Sequence, residues 1–203
     1  QRLIGDFHVP SFPQSVVEHF RVRIVDGSSI SEPGNTGSDW RLHYSLHLAT
    51  LRCDDFKITD PRVGEDFQRY SVSEGDLFVA DRGYCKRNGI TYVFENGGHV
   101  LVRFHSSNLP LLRYSGSVFS PLEHLRSLGP GQCGDWDVRF QSPRRGDLTK
   151  GRLCAIRKSE EAIQLAKKKL QKKASRQQRQ LRLETLEYAE YVILFTTVNR
   201  HRF

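Results

Sequence analysis

Two aspartates that follow apolar, β-branched runs are the residues of this 203-residue chain best placed to do chemistry. Asp26 follows VRIV in VRIVDGSS, and Asp81 follows LFVA in DLFVADRGY. Two carboxylates held close together repel each other unless a cation or a proton lies between them. Their hard oxygens suit Mg²⁺ or Mn²⁺, which bind one or two carboxylates together with substrate phosphates. The pair therefore indicates metal-assisted phosphoryl transfer, in which two ions about 4 Å apart serve the attacking and leaving oxygens.

Each aspartate also has an ordinary structural interpretation. An Asp-Gly pair after a strand forms turns, and an aspartate after a strand caps the next helix. The chemical interpretation requires the first and fourth predicted strands to be parallel neighbours, because both carboxylates then lie at one edge of the sheet. Open α/β sheets place their ligands at that edge.

The segments around these aspartates predict an α/β fold. Strand-like runs include WRLHYSLHLAT, CDDFKITD, HVLVRF, DWDVRFQ, GRLCAIR and EYVILFTTV, and YCKRNGITYVFENGG is typical of a helix. We predict the tail of a preceding helical region over residues 1–20, the first part of the core over 21–104, a β-rich insertion over 105–157, a basic helix over 158–190 and a last core strand over 191–203.

The basic helix carries most of the positive charge of the chain. Residues 158–182 contain nine Lys or Arg and two Glu, a local charge of +7 within a net charge of +8. Ser159 is placed to cap the helix, with Glu160 and Glu161 at the positive end of its dipole. Such a helix is either a solvated charged surface or a DNA contact, and we favour DNA because phosphates relieve its self-repulsion. The predicted DNA-binding residues are Lys167, Lys168, Lys172, Lys173 and Arg176.

The four cysteines do not form a metal or redox motif. Cys53, Cys85, Cys133 and Cys154 are far apart in sequence, and no CxxC pair is present. Zinc knuckles and thioredoxin-like sites need closely spaced pairs. We therefore expect reduced thiols.

Two histidines and one tryptophan have competing interpretations. His43 and His47 have an HxxxH spacing that on a helix could hold a metal. The alternation in RLHYSLHL instead predicts a strand with both histidines on its polar face. Trp136 could stack on an unpaired base, but a core position is the favoured interpretation.

The composition favours a globular protein without a membrane span. Hydrophobic residues make up 37% of the chain, and no apolar run approaches the ~18 residues that a membrane helix needs. The chain begins with Gln1, contains no methionine and has no signal-like segment,. We therefore expect a piece of a longer protein that works in the cytoplasm.

The order of five segments resembles a known family. VRIVDGSS, GSDWRLHYSLHL, DLFVADRGYCKRNGI, GRLCAIRKSEEAIQLAKKKLQKKA and ETLEYAEYVILFTTV are similar, in that order, to the catalytic domain of bacterial insertion-sequence transposases of the DDE type, in the family numbered four. The resemblance covers nearly the whole chain. It implies an RNase H-like fold, which is a mixed sheet flanked by helices, with a mainly β insertion between the second aspartate and a final glutamate.

This resemblance also implies an activity and a set of partners. Asp26 and Asp81 would be the first two catalytic carboxylates and would hold two Mg²⁺ or Mn²⁺ ions. The reaction would be cleavage of double-stranded DNA at transposon ends followed by strand transfer, by a homodimer on DNA associated with the bacterial nucleoid. The third carboxylate, a glutamate, would lie beyond residue 203. DNA contact and a structural role are both open interpretations for Arg82, Tyr84 and Lys86.

Two alternatives to the transposase interpretation remain open at the level of sequence. One is a catalytically inactive remnant that keeps DNA binding, and the other is an RNase H-like nuclease that hydrolyses DNA without strand transfer.

Overall fold

The computed structural model describes residues 19–143 and 146–200, and eight strands in this part of the chain form one sheet. The strands are β1 (Arg21–Ile30), β2 (Trp40–His47), β3 (Arg52–Thr59), β4 (Asp76–Ala80), β5 (His99–Arg103), β6 (Cys133–Gln141), β7 (Leu148–Arg157) and β8 (Tyr191–Thr196). The helices are α1 (Arg87–Glu95), α2 (Pro121–Leu125), α3 (Glu160–Arg176) and α4 (Leu183–Tyr188), with 3₁₀ turns at Phe67–Arg69 and Arg82–Tyr84.

The fold is α/β, as the sequence predicts, and its sheet is mixed, as the family resemblance implies. Its spatial order is β3-β2-β1-β4-β5-β8-β7-β6. Strand β4 pairs in parallel with both β1 and β5, and the other neighbouring strands are antiparallel. Strand β8 is the last in sequence, yet it lies in the interior of the sheet between β5 and β7.

The main hydrophobic core covers one face of the sheet and includes the inner side of α1. Alternate residues of a strand point to the same face, so every second position of the central strands enters this core. Each fully buried Phe, Ile or Val stabilises the fold by about 1.5–3 kcal/mol. Core residues from strands and helix include Val25, Phe78, Val100, Val102, Phe195, Ile90 and Val93.

A buried ion-pair network fixes the place where β4 begins beside β1. The Asp76 carboxylate is fully buried and accepts hydrogen bonds from Arg21 Nη2 at 2.8 Å and from the Ser73 N–H at 2.9 Å. Arg23, only 2% exposed, lies 3.4 Å from the same carboxylate. Burial acts to raise the pKa of Asp76, but these hydrogen bonds and cations outweigh it and hold the pKa below its usual value,.

The prediction of one basic helix over 158–190 is wrong, because two helices occupy this segment. The N–H of Gln178 donates to the Ser175 carbonyl at 3.1 Å, and that of Arg179 to the Ala174 carbonyl at 3.0 Å. With Gln178 at φ 49°, this is a Schellman motif that ends α3. Glutamine replaces the glycine that usually marks such an end, so the sequence offers no warning of it.

The other predicted segments have these positions. Residues 1–18 of the predicted helical tail and residues 201–203 lie outside the described residues. The predicted insertion over 105–157 contains α2, β6 and β7, and its two strands extend the same sheet through β8. No helix in the described part of the chain is long and apolar enough to cross a membrane.

Candidate active site and nucleic-acid interface

The register of β1 and β4 brings Asp26 and Asp81 to one edge of the sheet. The parallel pairing of the two strands ends at the pair Val25 and Ala80. Asp26 and Asp81 are the next residue of each chain, at the same offset from that pair. Because neighbouring strands lie about 4.8 Å apart, the two backbones are adjacent where the carboxylates emerge. The predicted parallel arrangement of the two strands is therefore confirmed.

Asp26 does not end its strand, contrary to the expected Asp-Gly turn. Strand β1 continues to Ile30, because β2 keeps pairing with it as far as Trp40 opposite Ile30. Tyr44, directly opposite on β2, donates its hydroxyl hydrogen bond to Asp26 Oδ2 at 3.3 Å. Burial, and then the charge of Asp26, raise the pKa of Tyr44, so this phenol is a neutral donor at physiological pH.

Two further tyrosine hydroxyls lie behind this strand pair. The Tyr70 hydroxyl lies 3.3 Å from the Tyr44 carbonyl oxygen and 3.0 Å from the Tyr84 hydroxyl. Burial raises the pKa of Tyr70 to about 12 and raises that of Tyr84 as well. Both rings are fully packed in the core, so these neutral phenols give the strand ends a rigid support.

Asp81 combines an exposed position with a capping role. Its Oδ1 accepts a hydrogen bond from the Gly83 N–H at 2.8 Å and so caps the 3₁₀ turn Arg82–Tyr84. The structural interpretation of this aspartate is thus correct. It does not exclude a chemical one, because a carboxylate has about four lone-pair sites and this cap uses one of them.

Glu65 is a third carboxylate at this edge, and the sequence did not reveal it. A Cβ added to Gly27 would lie 3.0 Å from Glu65 Oε1, and one added to Gly83 would lie 1.9 Å from Glu65 Oε2. The Glu65 carboxylate therefore fills space that the two glycines leave open. Burial, then the negative charge of Asp81 and to a smaller extent that of Asp26, raise the pKa of Glu65,.

The signal that could have revealed Glu65 lies in those glycines. Each aspartate is followed within two residues by a glycine, at Gly27 and Gly83. Neither glycine has the left-handed backbone that would require it. Their role is to admit a side chain, although the sequence does not say which one.

The donor set at this edge fits a hard divalent cation. Among residues 19–143 and 146–200, no three His, Cys, Asp or Glu side chains form a group arranged to hold a metal. Two aspartates are nevertheless the number of protein carboxylates that Mg²⁺ commonly takes, with waters and substrate phosphates completing its shell. Asp26 and Asp81 match this requirement in residue type and placement.

Helix α3 begins as predicted and is held to the fold by one of its lysines. Ser159 Oγ accepts a hydrogen bond from the Ala162 N–H at 3.4 Å and caps the helix. Lys167 Nζ lies 2.6 Å from Glu190 Oε1 and is only 30% exposed. Of the five predicted DNA-binding residues, Lys167 is therefore the one already neutralised by a carboxylate.

The remaining cations of α3 form one exposed surface, which we call the cationic face. At 100° per residue they fall within an arc of about 140°, on the side opposite the buried Ile163 and Ala174. Within the described residues, none of them has a carboxylate partner. The cationic face consists of Lys168, Lys169, Lys172, Lys173 and Arg176.

The other sequence candidates have structural roles. His43 and His47 lie on strand β2, as the strand interpretation predicts, and His47 contacts Thr50. The expected polar face is wrong for His43, which is fully buried with Nε2 3.0 Å from Thr59 Oγ1, because this face of the strand packs into the protein. Trp136 packs against the main core, as favoured. The cysteines are free thiols, as expected, at positions 53, 85, 133 and 154.

Comparison with known proteins finds similarity to insertion-sequence transposases. The chain is 31% identical over 182 residues to the transposase InsL for insertion sequence element IS186A of Escherichia coli strain K12, with 88% of this chain and 49% of that protein aligned. The transposase for insertion sequence element IS421 of Escherichia coli matches with the same identity and coverage. The chain thus spans about half the length of these relatives. No protein-family profile matches it.

Proposed function

We propose that this chain belongs to an insertion-sequence transposase and carries part of its catalytic site. The similarity to the Escherichia coli transposases over most of the chain supports this assignment. The finer proposal is a DDE transposase of family four with an RNase H-like core. The mixed sheet, with parallel β1, β4 and β5 and further β strands after Asp81, is consistent with that fold.

The observation that carries the proposed chemistry is the shared register of Asp26 and Asp81 at one sheet edge. Both carboxylates would hold Mg²⁺ or Mn²⁺, which supplies activation of the attacking oxygen and stabilisation of the leaving oxygen. The Tyr44 hydroxyl orients Asp26, and the Gly83 N–H orients Asp81. The glutamate that the resemblance implies as the third carboxylate stays a prediction.

Double-stranded DNA is the proposed substrate, and the cationic face is its proposed contact. When cations without carboxylate partners bind DNA phosphates, condensed counterions are released, and this release favours binding. Cleavage of transposon ends, strand transfer and dimerisation on DNA are proposed for the whole protein, on the basis of the resemblance.

Binding of Mn²⁺ to the chain, followed by electron paramagnetic resonance, tests the proposed site. Asp26→Asn and Asp81→Asn should each weaken Mn²⁺ binding by about 100-fold. Loss of a residue that only supports a metal ligand already costs about 10- to 100-fold, and a direct ligand should reach the upper end of that range. Asp137→Asn is the matched control, because that side chain is 72% exposed on β6. Equal affinities for all three variants would refute the site.

The same measurement separates the proposal from a DNA-binding remnant. A remnant would bind duplex DNA but would show no Mn²⁺ binding that depends on Asp26 and Asp81. An RNase H-like nuclease would bind the metal and nick DNA, but the whole protein would produce no joined DNA.

A further inference from the structure

The loop of residues 64–69 holds three cations through its backbone carbonyls. Arg69 Nε donates to the Gly64 carbonyl at 2.9 Å, and Lys86 Nζ donates to the Glu65 carbonyl at 2.5 Å. Lys57 Nζ donates to the Arg69 carbonyl. We call Lys57, Arg69 and Lys86 the loop cations. They come from β3, from the loop itself and from the residue before α1, yet they converge on one short segment.

Neutral carbonyl oxygens, and not carboxylates, accept the hydrogen bonds of the loop cations. A hydrogen bond to a neutral carbonyl fixes the position of a cation without neutralising it. In the described part of the chain, none of the three forms an ion pair with a carboxylate. Arg41 adds a fourth charge nearby, and its buried Nε has no hydrogen-bond partner among the residues that the structure describes.

The lowered pKa of His43 shows that several of these cations lie close to one another. Burial lowers the pKa of His43, and the charges of Arg69, Arg41 and Lys57 lower it further, in that order. Three cations therefore act on one buried side chain at the same time. Such a cluster repels itself unless an anion approaches.

The loop cations lie beside the aspartate edge. The same loop carries Glu65, whose carboxylate lies against Gly27 and Gly83 and is coupled to Asp81. A phosphate that approaches these carboxylates meets repulsion, which neighbouring cations offset. The structure thus places fixed positive charge next to the negative charge that a DNA substrate would have to approach.

We propose that the loop cations bind backbone phosphates of duplex DNA next to the Asp26–Asp81 edge. This inference rests on the proposed function and adds a second DNA contact to the cationic face of α3. The charges are spread over three elements, and the cleft that Lys57 and Arg69 line together with Asp66 is open to solvent, which suits a polymer backbone. Their carbonyl hydrogen bonds orient them before DNA arrives, so less side-chain entropy is lost on binding.

The test compares DNA affinity and its salt dependence for two triple variants of the 203-residue chain. The first variant is Lys57→Gln, Arg69→Gln and Lys86→Gln. The control is Arg52→Gln, Arg103→Gln and Lys150→Gln, which removes the same charge from exposed positions on β3, β5 and β7 that do not contact the loop carbonyls. Fluorescence anisotropy with a labelled random-sequence duplex gives affinity and salt slope for each protein.

We expect the loop variant to lower the salt slope by about 2–3, because each lost phosphate contact lowers it by about 0.9. Its affinity at about 0.1 M salt should be at least tenfold weaker than that of the control. Equal losses in both variants would refute the inference. Lys57→Gln alone, at an exposed position, gives the same test with a slope change of about 1 if the triple variant does not fold.

Two further outcomes separate this inference from the proposed function. If the wild-type chain binds no duplex at low salt, the inference and the DNA-binding part of the proposed function both fail. If the wild-type chain binds and only substitutions in the cationic face lower the slope, the inference alone fails. Tighter binding of a matched single-stranded RNA would also overturn it, because the proposed partner is duplex DNA.

Discussion

The cationic face of α3 and the aspartate edge both concentrate charge, but they are built in different ways. The cationic face is set by helical periodicity alone, on a helix that Lys167 and a few buried residues hold to the fold. The aspartate edge depends on the parallel pairing of β1 with β4, on two glycines and on three tyrosine hydroxyls. Charged side chains that bind a DNA backbone can be placed loosely, whereas charged groups that take part in a reaction must be held in a defined geometry.

Removal of the buried Asp76 carboxylate should destabilise the pairing of β1 with β4 that carries the edge, without changing the charge of the cationic face. Asp76→Ala leaves the buried Arg23 with Asp54 as its remaining carboxylate, at 3.0 Å, and removes the acceptor of the Ser73 N–H. The loss of one carboxylate from this buried network should cost about 3 kcal/mol of unfolding free energy. Urea unfolding followed by circular dichroism measures the loss, with the exposed Asp137→Ala as control. Because the pKa of Asp76 is lowered on folding, its stabilisation is present above the ordinary aspartate pKa and is lost as pH falls through the lowered value. A loss under 1 kcal/mol would contradict the buried network.

Neutralisation of the cationic face should weaken DNA binding and leave the stability of the sheet unchanged. Replacing four lysines of α3 by glutamine should weaken duplex binding about 100-fold at low salt and lower the salt slope by about 4. The unfolding free energy should change little, since these side chains are exposed. Lys167→Gln should instead leave the slope unchanged, because Glu190 already neutralises that lysine. An unchanged slope in the fourfold variant would remove the cationic face from the DNA interface. The four lysines are Lys168, Lys169, Lys172 and Lys173.

A single methyl group should disturb the edge without unfolding the chain. In Gly83→Ala the new Cβ would lie 1.9 Å from Glu65 Oε2 and 3.1 Å from Asp81 Oδ1, so the Glu65 side chain has to move. We expect Mn²⁺ affinity to fall about tenfold, as for the loss of a residue that orients a ligand. Gly37→Ala is the control, because no atom lies within 4 Å of its added Cβ. Equal Mn²⁺ affinity of the two variants would show that the crowding has no effect on the site.

The smallest expected effect concerns the repulsion among the edge carboxylates. Glu65→Gln removes a charge that is disfavoured by burial and then by the charges of Asp81 and Asp26, so without metal the melting temperature at neutral pH should rise by about 1–3 °C. The raised pKa of Glu65 means that the wild-type chain loses stability relative to the variant as pH rises through that pKa. Calorimetric melting from acid to neutral pH measures the difference. A variant that melts below the wild type at pH 7 would indicate that Glu65 stabilises the edge.

Much of the sheet was predictable from the sequence, because alternating and β-branched runs identify strands directly. The neighbouring position of β1 and β4 followed from two strands that share the same pattern, an apolar run before an aspartate. The cap of α3 by Ser159 was predictable for a similar reason, since capping depends on local residues.

The missed features depend on contacts between distant residues or on unusual backbone. Glu65 reaches the edge from a loop, and its place there depends on pairing that no local pattern encodes. The continuation of β1 beyond Asp26 depends on β2, whose pairing outweighs the turn tendency of Asp-Gly. The end of α3 has glutamine in a conformation that usually marks glycine,.

The interior position of β8 has a consequence for the order of synthesis and folding. A growing polypeptide can pair β1 to β5 as soon as Arg103 has emerged from the ribosome. The hydrogen-bonding edge of β5 then stays open while all residues from 104 to 190 are made, because its partner is the last strand. An open strand edge is a template for pairing with other chains. We therefore expect ribosome-bound chains that end before Tyr191 to aggregate more readily than chains that contain β8.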